Sequence, residues 1–169
     1  KFDEVVLKEL ALPVNQESDL KDWKNFLKKY KNPKKKVEIA LVGKYVSLQD
    51  SYKSIAEAFI HAGASQDTEV KLRWVYSGDL TEENLAENFK GIDGMLIAPG
   101  FGDRGIEGKI LAAKFARENK IPLLGICLGM QIMTIEFARN VLGLKDANSA
   151  EFDLTTKNPV ISLMEEQKN

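Results

Sequence analysis

From Val37 onward, short apolar runs alternate with stretches in which apolar residues recur every three or four positions. The runs Val37–Val42, Val70–Tyr76, Gly94–Ala98 and Pro122–Ile126 predict strands. The intervening Tyr52–Ala62, Glu82–Phe89 and Gly105–Glu118, and then Leu128–Leu142, predict helices. Strands this uniformly rich in Val, Ile, Leu and Ala, each followed by a helix, are buried on both faces. They predict an α/β fold of three layers, with a mostly parallel sheet between helices. In such sheets ligands bind beyond the carboxyl ends of the strands. Chemistry is therefore expected in Gly43–Asp50, Ser77–Leu80, Pro99–Gly108 and Cys127–Gly129.

The front of the chain follows a different pattern. Lys1–Pro33 predicts two short helices broken at Ala11–Gln16. In the second, Ser18 is the expected N-cap, and Leu20, Trp23, Phe26, Leu27 and Tyr30 share one face before Pro33. Residues 1–36 hold ten Lys and six acids, a balance of +4, against −5 for the remainder. Lys34, Lys35 and Lys36 are expected to be a solvated linker, with a phosphate-binding patch as the alternative. Residues 1–35 are thus expected to be a connector and 36–169 the domain.

Composition narrows the chemistry. The chain has 169 residues, 44% of them hydrophobic, enough for one domain with a real core. It holds one cysteine, Cys127, and one histidine, His61, so neither a disulfide framework nor a cluster of Cys and His metal ligands can form within it. A reducing, cytoplasmic setting is expected. A net charge of −1 argues against general nucleic-acid or anionic-membrane binding. No apolar run approaches the roughly 20 residues that span a bilayer, and no signal-peptide core follows the basic start. A start without Met is expected of a processed product or a fragment.

The sequence Gly125-Ile126-Cys127-Leu128-Gly129 sets the cysteine between glycines where a buried strand meets a helix. This is the nucleophile-elbow pattern, and a helix N-terminus favours a thiolate. The alternative is a buried cysteine that fills space. Pro99-Gly100-Phe101-Gly102 follows the preceding strand and adjoins the elbow if the two strands are neighbours. Acyl transfer needs two N–H donors aimed at an oxyanion. Leu128 can supply one and Gly100 the other, although a Pro-Gly turn alone would read the same. Gln131, one helical turn beyond Cys127, can face the same pocket or be an ordinary helix residue.

Pro-Gly-Phe-Gly followed by Gly-Ile-Cys-Leu-Gly-Met-Gln resembles the class I (triad-type) glutamine amidotransferases. Four further segments are similar to the C-terminal amidotransferase domain of the CTP synthase family: Val42–Tyr45, Asp50–Ser54, Phe101–Lys109 and Ala147–Asp153. The resemblance covers about Lys36–Glu166, and residues 1–35 resemble the end of a synthetase domain with its linker. It implies a flavodoxin-like fold lacking its C-terminal part. It implies Cys127 as nucleophile, Gly100 and Leu128 as oxyanion hole, and Phe101, Gly129, Met130, Gln131 and Glu151 around glutamine, with Glu151 taking the α-ammonium. Arg104 falls where the family couples GTP activation to turnover, or is an exposed surface arginine. No metal or cofactor is expected in this chain. The whole enzyme would use ATP with Mg2+ and ammonia to convert UTP to CTP, with GTP as activator, as a homotetramer whose synthetase domain is on the same polypeptide.

Two departures qualify the resemblance. The family often reads Pro-Gly-Gly before Phe, whereas this chain has Ala98-Pro99-Gly100; a preserved loop is expected. The family's general base is a histidine in a His-x-Glu motif beyond the cysteine, and none occurs by Asn169. His61, at the far end of its helix, is expected on the wrong side of the sheet to substitute. The competing expectation is a non-catalytic regulatory or interaction module of the same fold.

Overall fold

The computed structural model describes residues 2–14, 19–164 and 166. Four strands form one parallel sheet: β1 (Lys35–Gly43), β2 (Thr68–Tyr76), β3 (Gly94–Ile97) and β4 (Leu123–Gly125), in the order β2-β1-β3-β4. Along β1 and β3 successive side chains serve opposite faces. Ala40, Val42, Met95 and Ile97 enter one apolar core, and Leu41, Leu96 and Ala98 the other.

The first core is covered by α4 (Leu85–Asn88), α5 (Ile106–Glu118) and α6 (Leu128–Asn140). Arg117 of α5 ties this layer to α6 through a forked ion pair with the buried Glu136, at 2.8 Å. The second core is covered by α3 (Lys53–Ser65) through Ile55 and Phe59. Helices on both faces of a parallel sheet are the three layers that the pattern predicts. A short parallel ladder, β5 (Asn148–Ser149) with β6 (Pro159–Ile161), lies beyond α6.

Several local expectations are corrected. Lys34–Lys36 is no linker: Lys35 and Lys36 open β1, and Lys34 and Lys36 pair with Asp67 and Glu69 at 3.3 and 3.2 Å. Parallel pairing sets Lys35 opposite Thr68, which brings those acids alongside. Residues 82–84 are not helical. Asn84 instead closes a turn, accepting from the Thr81 N–H and donating to the Asp79 carbonyl, so α4 begins at Leu85. The two front helices are present as α1 (Phe2–Glu9) and α2 (Lys21–Lys31). Ser18, the expected cap, lies outside the described residues; α2 starts after Leu20, with the Lys21 N–H donating to Asp19 Oδ1 at 3.0 Å. α2 packs on α3, where Phe26 stacks on His61 at 4.7 Å between ring centres.

Candidate active site

β3 and β4 are neighbours in register, Ile97 opposite Gly125, so the segments that follow them emerge side by side. Strand order also reverses between β1 and β3, which opens a crevice at their carboxyl ends. The loop after β1, the Pro99–Gly102 loop and Cys127 share that end.

Cys127 occupies a backbone conformation of φ 53°, ψ −110°, which side chains with a Cβ rarely adopt, and it directly precedes α6. The flanking glycines make this turn possible. A Cβ on Gly125 would lie 2.4 Å from the Gly129 carbonyl, and one on Gly129 only 2.2 Å from the Ile97 carbonyl oxygen. The helix start is thereby pressed onto the strand ends and the thiol is left exposed. The reading of Cys127 as a buried space-filler therefore fails.

The first turn of α6 distributes its N–H groups unevenly. Gly129 donates to Ile126 O at 2.8 Å, and Met130 and Gln131 both donate to Cys127 O, at 3.0 and 3.2 Å. Leu128 N–H has no acceptor among the described residues, as expected for the first donor of a helix. Gly100 N–H likewise has none. Gly100 is not sterically required here: a Cβ would meet Leu128 Cδ2, Lys109 Nζ and Lys44 Cε at an ordinary 3.7 Å.

The Gly100 loop is held at both ends. Lys109 Nζ, buried at 1% exposure, donates to Ala98 O at 2.9 Å, and Lys44 Nζ donates to Phe101 O. Lys44 is placed in turn by the buried Tyr52, whose hydroxyl accepts from the Lys44 and Tyr45 N–H groups at 3.2 and 3.3 Å. Burial first, and then the neighbouring Lys44, pull the Lys109 ammonium down to about 8, while the Cys127 thiolate opposes them. Lys44 and Arg104 also converge on the Tyr45 ring, at 5.3 and 6.0 Å from its centre.

Of the other expected residues, Phe101 projects from the loop at 80% exposure, Met130 is exposed and Gly129 is buried against Ile97. Gln131 Oε1 is buried without a partner among the described residues, an acceptor that a bound N–H could satisfy. Glu151 sits exposed after β5, its N–H donating to Ser149 Oγ, and its carboxylate makes no bond among the described residues. His61 is not brought to the site. Its helix end lies by Asp67, whose carbonyl accepts from Lys34 and Lys35 N–H at the start of β1, opposite to the end that bears Cys127. Lys44 and Lys109 were missed as site residues. The signal for Lys109 was a lysine on the same helix face as Ile106, Ile110 and Ala113.

Comparison with known proteins gives the family. The family model for glutamine amidotransferase class-I matches residues 47–167. CTP synthase of Cytophaga hutchinsonii is 62% identical over 169 residues, covering 100% of this chain and 31% of that protein. CTP synthase of Caldanaerobacter subterraneus subsp. tengcongensis is 58% identical over the same span and share. The chain thus spans about 31% of the length of these curated relatives. Among solved structures, the glutaminase domain of Trypanosoma brucei CTPS with bound acivicin matches with a TM-score of 0.73 and 40% identity, over 79% of this chain and 52% of that one. The chain belongs to the class-I glutamine amidotransferases.

Proposed function

We propose that this chain is the glutamine-hydrolysing part of a CTP synthase and that Cys127 is its nucleophile. The supporting observation is the pairing of an exposed thiol on a strained elbow with two N–H groups, Leu128 and Gly100, that have no acceptor among the described residues. The Cys127 sulfur attacks the side-chain carbonyl carbon of glutamine, and the carbonyl electrons move onto oxygen, where the two N–H groups receive them. Collapse of this intermediate expels the protonated amide nitrogen as ammonia and leaves a glutamyl thioester, which water hydrolyses to glutamate. Gln131, Phe101, Gly129 and Met130 form the side-chain pocket, and Glu151 takes the α-ammonium. Arg104, beside Lys44 and Tyr45, is the reading for GTP coupling.

Proton transfer is not assigned to His61, which is stacked on Phe26 away from the thiol. None of the residues here is assigned to ATP, Mg2+ or UTP. Those belong to a synthetase domain of which the residues before β1 are the end and linker, in a cytoplasmic homotetramer that aminates UTP to CTP. No helix among the described residues is long and apolar enough to cross a membrane.

The test is covalent labelling by an electrophilic glutamine analogue, read by mass spectrometry, in this chain and in a longer polypeptide carrying the His-x-Glu segment. Labelling of Cys127 that L-glutamine suppresses, and that is fast only in the longer chain, is expected. Labelling indifferent to glutamine in both would overturn the reading in favour of a non-catalytic module.

A further inference from the structure

Lys109 is a buried cation with no carboxylate partner among the described residues. Its side chain is among the largest fully enclosed among the described residues, and it donates to the Ala98 carbonyl at 2.9 Å. Buried ammonium groups are ordinarily paired with an anion or replaced by apolar residues, since desolvation is costly. The charged groups that face it are Lys44, from the loop after β1, and Cys127, from the β4–α6 junction. Glu107 on its own helix turns away to Arg139, at 3.0 Å. The anion that would complement Lys109 is therefore one formed at the Cys127 site.

We infer that Lys109 is a positioning residue for Cys127 chemistry, holding the Gly100 loop through Ala98 while lending positive charge to the anion that forms there. The bond to Ala98 fixes the strand end from which Pro99 and Gly100 depart. A Cβ built on Gly100 would lie 3.7 Å from Lys109 Nζ, so the charge sits directly beneath the loop. A thiolate at Cys127 attracts the Lys109 ammonium. Lys109 holds its proton more firmly while the thiolate is present.

This inference rests on Cys127 as nucleophile, but its test needs no glutamine and can fail separately. Cys127, the one thiol in the chain, is alkylated with iodoacetamide across pH 6–10 in the wild type, Lys109→Met and Lys109→Arg, with circular dichroism to verify folding. Lys109→Met is expected to react roughly 5- to 10-fold more slowly near neutral pH, as the thiolate loses a neighbouring positive charge. Lys109→Arg should restore most of the rate. A wild-type rate and profile in folded Lys109→Met would overturn the inference. Should the variants not fold, the wild type still decides: the lysine 13Cε signal titrating near 8 must move to lower pH once Cys127 is carbamidomethylated, and an unmoved midpoint overturns it.

Discussion

The backbone of Cys127 provides a direct measure of what the elbow costs the fold. At φ 53° and ψ −110° a residue with a Cβ is strained, and such conformations cost of order 1–3 kcal/mol. Glycine adopts them freely, but loses roughly 0.5–1 kcal/mol more entropy on folding than alanine. Cys127→Ala removes the sulfur and keeps the strain; Cys127→Gly removes both. Because the thiol is exposed, the two variants forfeit little packing. Their difference therefore isolates the strain, and Cys127→Gly should be the more stable by about 0.5–2 kcal/mol. For a chain of this size that is a rise in Tm of about 1–8 °C. Urea unfolding followed by tryptophan fluorescence, with an unchanged m-value, measures it. The argument is refuted if Cys127→Gly is no more stable than Cys127→Ala.

Two other perturbations test the same region. Lys109 has its pKa depressed from 10.5 to about 8, so its contribution to stability is complete above 10.5 and is lost as pH falls through 8. Stability of the wild type should carry a component rising between pH 8 and 10.5 by up to roughly 3 kcal/mol, absent from Lys109→Met, as denaturant titrations across pH will show. The glycines should divide by geometry. Gly129→Ala, with its Cβ 2.2 Å from Ile97 O, should lose roughly 2–4 kcal/mol in urea unfolding, whereas Gly100→Ala should stay within about 0.5 kcal/mol yet label poorly with the glutamine analogue.

The strands, their parallel pairing and the elbow were legible in the sequence because each rests on local text. Apolar runs of strand length alternate with helical spacing, and glycine two places either side of Cys127 fits only a tight strand-to-helix turn. Long-range electrostatics was not legible in that way. Lys34 and Lys36 resemble a linker until β1 is laid beside β2 and their partners prove to be Asp67 and Glu69. Residues 82–84 have the apolar spacing of a helix, but Asn84 satisfies its neighbours through its own amide and the helix starts late. Lys109 was readable in part: a lysine on an apolar helix face is an anomaly in any sequence. Its purpose required the position of Ala98, which is eleven residues away along the chain and in contact only after folding.

These anomalies share a location. A strained Cys127 and, among the described residues, a buried Lys109 with no carboxylate and a buried Gln131 Oε1 with no donor are each features that selection for stability alone would remove. Gln131 is one helical turn from Cys127, and Lys109 is electrostatically joined to it. The other buried side-chain atom without a partner among the described residues, Ser77 Oγ, abuts Gly105 in the loop that leads from Gly100 into α5. Away from this crevice, buried charge is paired, as Glu136 is with Arg117. Local rules broken together at one place, and kept elsewhere, are expected where a fold holds groups ready for a ligand. The missing complement has a definite chemistry: an N–H donor for Gln131, and a negative charge that develops beside Cys127 above Lys109. A primary amide converted to a tetrahedral oxyanion supplies both.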